Sequence, residues 1–65
     1  MEPYQERLIE EEKALVMKIG KLHEFLKSDK MNYLTSRHRD LIRDQYDVMK
    51  RYANILGNRL EDLGL

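Results

Sequence analysis

The sequence predicts an all-α protein: an antiparallel two-helix hairpin that assembles into a helical homo-oligomer. Three observations carry that expectation. Apolar residues recur at helical spacing through two long stretches. One Pro and three Gly among 65 residues leave little to interrupt a helix. With 42% hydrophobic and 37% charged residues, so short a chain has too little apolar surface to complete a core alone. Cys is absent, which removes disulfides and thiolate metal sites together, so self-association is the expected remedy.

The first helix is expected near residues 4–27. Pro3 suits a helix start, where its missing N–H costs nothing. Leu8, Leu15, Ile19, Leu22 and Leu26 then recur on one face, flanked by Ile9 and Val16. Ser28-Asp29-Lys30-Met31-Asn32 reads as a break, after which Tyr33 and Leu34 are expected to tuck the connection against the core. Thr35 or Ser36 is the candidate N-cap of the second helix. That helix is expected near 36–62, with Leu41, Ile42, Val48, Met49, Ile55, Leu56 and Leu60 as its apolar positions and Gly64 beyond its end. The short connection makes the helices antiparallel neighbours within a single domain over residues 1–65. If the numbers of facing residues add to about 64, Leu8 meets Leu56, Leu15 meets Met49 and Leu22 meets Ile42.

Charge is balanced, with 12 basic and 12 acidic residues, but unevenly placed. Residues 1–12 hold five Glu against Arg7, whereas residues 13–43 hold eight Lys/Arg against Glu24, Asp29 and Asp40. A neutral total argues against a DNA or RNA polymer as partner. The basic middle suits a compact anionic ligand, or is simply a solvated helix face. No apolar run approaches the ~18 residues of a membrane span, and no signal peptide opens the chain, so a soluble, intracellular protein without a membrane partner is expected.

On the second helix the apolar rows span roughly 160° at ~100° per residue, more than one partner helix covers. Along the middle of that arc run His38, Gln45, Tyr52 and Arg59, seven residues apart. Polar groups there need partners. They either fix register at an oligomer seam or line a pocket between subunits, and a seam pocket requires the seam. Glu12 repeats the anomaly on the first helix; Tyr52 and Arg59 are its expected partners.

Catalytic chemistry finds little support. His23 and His38 stand alone, without metal-ligand spacing, so no metal site is expected. Ser28 and Ser36 are explained as boundary residues, and there is no Gly-rich phosphate loop. Gly20 and Gly57 are solitary within helical patterns, where Gly costs about 1 kcal/mol relative to Ala, which suggests close approach of a helix or a ligand. Tyr4 is more informative. It lies outside the apolar stripe, within a turn of Arg7, while Lys18 and Lys21 lie further along, off the buried face. An exposed aromatic can stack on a base while nearby cations hold phosphate, although exposed lysines are also ordinary on any helix.

The segment Met49-Lys50-x-Tyr52-x-x-x-Leu56-Gly57-x-Arg59-Leu60, preceded by Leu41 and Gln45, resembles a known pattern. So do Glu6-Arg7-Leu8-Ile9-x-Glu11, Lys18-Ile19-x-Lys21-Leu22 and Phe25-Leu26. Together they resemble the helical-hairpin domain of phage anti-CBASS sponges, shared with a class of anti-Thoeris sponges. The resemblance implies a helical assembly, usually hexameric, that sequesters cyclic oligonucleotide signals without cleaving them, in the cytoplasm of an infected bacterium. It implies no cofactor and no catalysis. Cyclic dinucleotides such as cyclic GMP-AMP would sit between paired subunits, with Tyr4 stacking on a base and Lys18 meeting phosphate; Arg7 and Lys21 are further candidates beside them. A second site, for cyclic trinucleotides, would use Gly57, Asn58 and Arg59. The competing expectation is a structural or regulatory hairpin that assembles or docks on another protein.

Overall fold

The computed structural model describes residues 1–65 and is all-helical. Helix α1 spans Pro3–Lys27, a 3-10 helix spans Asp29–Tyr33, and helix α2 spans Ser36–Asp62. Both long helices stand within a residue of their expected limits. Pro3 occupies the first turn of α1, and the Glu2 N–H donates to Gln5 Oε1 at 3.0 Å, satisfying one donor at the helix start. At the other end the Ser28 hydroxyl donates to the Phe25 carbonyl at 2.7 Å. Thr35, rather than Ser36, caps α2: its Oγ1 accepts the His38 N–H at 3.1 Å. Beyond α2, Gly64 takes the left-handed conformation with φ 74°, which a side chain would strain.

The helices pack as an antiparallel hairpin measuring 46 × 14 × 14 Å. Its radius of gyration, 14.8 Å, exceeds the about 11 Å of a compact chain of this length. A rod of two helices has one internal seam, and that seam is narrow. Only five residues are buried: Leu8, Leu15, Met31, Leu56 and Leu60. Leu8, Leu15, Leu56 and Leu60 form the core, with Ile9, Ile19, Met49 and Ala53 packed against them. Leu8 and Leu56 are both in the core, and Leu22 and Ile42 are both half-buried.

The connection differs from expectation in one respect. Tyr33 is 87% exposed, and Met31 is the residue buried beneath the turn. A 3-10 helix repeats every three residues, so in a five-residue piece only one position faces inward; the unbranched thioether of Met31 fills that gap more readily than a phenol that needs a partner. Neither helical glycine is approached from across the seam: a Cβ at Gly20 or Gly57 would meet nothing within 4 Å. Close helix packing within the hairpin therefore does not account for them.

The Thr35 cap offers a direct check. Thr35→Ala should lower stability by about 1 kcal/mol, hence the melting temperature by roughly 4–8 °C. Thr35→Ser should retain most of it. A melt of Thr35→Ala that matches the parent would show the cap to be dispensable.

Candidate functional site

Two lateral surfaces flank the seam, and the cross-helix contacts identify which residues share each. On one side the Tyr52 hydroxyl donates to Glu11 Oε2. The tyrosine's partner is therefore Glu11 rather than the expected Glu12, one position along and so rotated by ~100° about the helix axis. Glu12 itself is half-buried and pairs with neither Tyr52 nor Arg59. On the opposite side Tyr46 and His23 share a hydrogen bond between the tyrosine hydroxyl and Nδ1 at 3.2 Å, their rings stacked with centroids 5.7 Å apart. Lys50 Nζ lies 4.5 Å from the Tyr46 ring centroid and ion-pairs with Asp47 at 3.7 Å. On this second surface Lys50 thus has a counter-ion.

The Glu11 side is different. Tyr4, Glu11, Lys18 and Phe25 follow one another at intervals of seven residues, and seven residues bring a helix back to within ~20° of the same direction. Arg7 and Lys21 adjoin this row. Across the seam Gln45 and Tyr52 form the facing row of α2. Between the two rows, toward the connection, lies an open cleft of about 370 Å³ lined by Lys18, Lys21, Leu22, Phe25, Gln45 and Met49. Its volume is at the lower end of the ~300–1,000 Å³ of small-molecule sites.

The cleft has an apolar floor and a cationic rim. Leu22, Phe25 and Met49 are half-buried, so each already presents apolar surface to solvent. Lys18 and Lys21 make no ion pair; the salt bridges of the protein are Asp40–Arg43 and Asp47–Lys50. No carboxylate lines the cleft. Gln45 contributes the one neutral polar side chain, its amide 3.9 Å from Met49 Sδ, a weak acceptor. An anion with an attached flat apolar body matches this arrangement: two ammonium groups at the edge and a hydrocarbon surface beneath.

The residues singled out from the sequence divide into three groups. Lys18 and Lys21 are brought together in the cleft. Tyr4, 49% exposed, and Arg7, also exposed and without an ion pair, lie on the same flank. Tyr4 stands about 21 Å from Lys18 along the axis at ~1.5 Å per residue, so one chain does not bring both to one small ligand. Gly57, Asn58 and Arg59 lie at the far end of α2. Asn58 lines a concavity of about 500 Å³ with Glu61 and Asp62, whose charges oppose an anion there. Arg59 is exposed and makes no ion pair.

Sequence reasoning missed Phe25, Leu22, Met49 and Gln45 as a common lining. Phe25 could have been found, since it continues the row of Tyr4 and Lys18. The α2 contributors depend on cross-helix register.

The polar row of α2 is also resolved. His38, Gln45, Tyr52 and Arg59 are all exposed, and no polar residue of the hairpin is buried. They lie between the packed row of Ile42, Met49 and Leu56 and an exposed row of Leu41, Val48 and Ile55, which are 50%, 53% and 57% exposed. Within one hairpin these polar groups are hydrated and need no partner. The apolar arc extends past them into solvent.

No helix is long and apolar enough to cross a membrane. No curated protein and no solved structure gives a significant match to the chain. The family model described as Sequestin matches residues 2–62, a match that fits the resemblance to phage anti-CBASS sponges. Covering all but the extreme ends of the hairpin, both flanks of the cleft included, that match shows that the chain belongs to the Sequestin family.

Proposed function

We propose that this protein binds and sequesters cyclic oligonucleotide immune signals, cyclic dinucleotides such as cyclic GMP-AMP among them, as a phage anti-defence sponge in the cytoplasm of an infected bacterium. The observation that carries the reading is the cleft, where Lys18 and Lys21 stand without counter-ions over an apolar floor of Leu22, Phe25 and Met49. Phosphate suits the lysines and a nucleobase suits the floor. The family's name speaks of sequestration, and the reading requires only binding.

A ligand that touches both Tyr4 and Lys18 needs a homo-oligomer as the working unit, with the hexamer the size implied by resemblance. Both residues lie seven positions from Glu11, on opposite sides. A second copy packed antiparallel against this flank, centred near Glu11, brings its Tyr4 beside the first copy's Lys18 and completes the site from two chains. Glu11 is drawn off toward Tyr52 within each chain, which separates the two carboxylates at that centre. Cyclic trinucleotides would occupy a separate site at Gly57, Asn58 and Arg59. Because Glu61 and Asp62 adjoin Asn58, that site requires several copies of Arg59 around one ligand. A hairpin that only docks on another protein is favoured by the exposed Leu41, Val48 and Ile55 row, and such a module would be indifferent to nucleotides.

Calorimetric titration with cyclic GMP-AMP separates the two. Lys18→Ala should weaken binding by roughly 10- to 150-fold, the ~1.5–3 kcal/mol of a charge-assisted hydrogen bond. Tyr4→Ala should cost a similar factor through lost stacking. Both variants should keep the parent's helicity and mass. Ligand released by denaturing the complex should be chromatographically intact; linear product would point to an enzyme, and the absence of binding would leave the docking module.

A further inference from the structure

We infer that Gln45 reads the base held in the cleft and selects adenine over guanine. The inference rests on the nucleotide-binding reading above and adds its specificity. Gln45 is the one side chain of the cleft that both donates and accepts hydrogen bonds. It stands on α2, opposite the lysines of α1, so a ligand whose phosphate lies on Lys18 and Lys21 directs its base across the seam toward the carboxamide. The apolar floor of Leu22, Phe25 and Met49 lies between the two and holds the ring against solvent.

Gln45 is also free to respond. It is exposed, and its amide rests only on Met49 Sδ at 3.9 Å, a contact far weaker than an amide–base hydrogen bond. Nothing in the packing of the hairpin requires a carboxamide there, since an apolar or charged side chain at this exposed position leaves the core of Leu8, Leu15, Leu56 and Leu60 untouched. A carboxamide presents one donor and one acceptor side by side. Adenine offers the complement on its N6/N7 edge, a donor beside an acceptor. The matching edge of guanine, O6/N7, offers two acceptors and meets the carboxamide oxygen with repulsion. A neutral amide therefore favours adenine at this position, whereas a cation there would favour guanine.

Symmetric ligands give the cleanest test. Calorimetry with cyclic di-AMP and cyclic di-GMP should show the parent protein preferring cyclic di-AMP by about tenfold or more. Gln45→Met keeps the length and helix preference of the side chain and removes its polar pair; it should bring the ratio close to one by weakening cyclic di-AMP alone. Gln45→Lys should invert the preference. Melting without ligand should be unchanged in both variants. Binding of the two ligands with a ratio that ignores residue 45 overturns this inference and leaves the sponge reading standing. Binding of cyclic GMP-AMP but of neither symmetric ligand overturns this inference alone, and failure of the parent to bind cyclic GMP-AMP, either symmetric ligand or any cyclic trinucleotide overturns both.

Discussion

Diluting the protein should lower its melting temperature, and Val48→Asp should abolish its cooperative melt at concentrations where the parent is fully helical. The argument starts from the narrow seam. Five buried residues, of which Leu56 is the one fully enclosed, are a thin core for a chain of this length, and a domain of ~65 residues is marginal even with a well-filled interior. The apolar surface that could make up the difference is on the outside. Leu41, Val48 and Ile55 stand in a row at intervals of seven residues, and Tyr52 and Leu63 beside them are 41% and 37% exposed. Full burial of a Val, Leu or Ile side chain contributes about 1.5–3 kcal/mol. Covering the exposed half of three such residues on each of two copies therefore contributes several kcal/mol, comparable with the whole stability of a small domain.

Stability drawn from a second copy depends on concentration by mass action, which is the signature to measure. An aspartate at Val48 places an unpaired carboxylate at the centre of the row and should cost more than the lost methyl groups. A control at Met17, 65% exposed and on the far side of α1 from that row, should be neutral when changed to Asp. Sedimentation is to be run beside the melts. A monomer with a melt independent of concentration, unaffected by Val48→Asp, would sink the idea.

Much of this fold was legible in the sequence because its determinants are local. Pro3, Ser28, Thr35 and Gly64 each act on backbone groups within a few residues, so the helix limits follow from them without knowledge of the partner helix. What depends on rotation or register was less so. Reading Glu12 where Glu11 bonds Tyr52 is an error of one position, yet on a helix one position is ~100° and a different surface. Expecting Tyr33 rather than Met31 under the turn is the same kind of error, since no periodicity develops within five residues. The site follows this division. Lys18 and Lys21 share a flank by spacing on one helix, and that was readable. Gln45 and Met49 reach them only through the packing of α2, which no single stretch of sequence specifies.

Arg59→Ala should abolish binding of cyclic trinucleotides while leaving the mass of the protein and its affinity for cyclic dinucleotides as they were. Two roles for this residue were compatible with its place in the row of His38, Gln45 and Tyr52. As the structural partner of a buried Glu12 it would hold the hairpin together, and its loss would strand a carboxylate at about 3–5 kcal/mol. The hairpin removes that role: Glu12 is half-buried, Arg59 is exposed, and the two form no ion pair. The guanidinium thus makes no ion pair within its own chain and is open to solvent. Glu61 and Asp62 beside Asn58 weaken any single-chain anion site, so under the proposed reading a trinucleotide would be held by several equivalent arginines converging on it. Three such contacts at ~1.5–3 kcal/mol each amount to roughly 4–9 kcal/mol, enough that losing all of them at once leaves no measurable binding. Arg59→Lys keeps the charge but not the planar fork, and should retain only a small part of the affinity. Titrations of both variants with a cyclic trinucleotide and a cyclic dinucleotide, with mass measured in parallel, decide the matter. Dissociation of the oligomer in Arg59→Ala would assign the residue to assembly instead, and undiminished trinucleotide binding would remove it from any site.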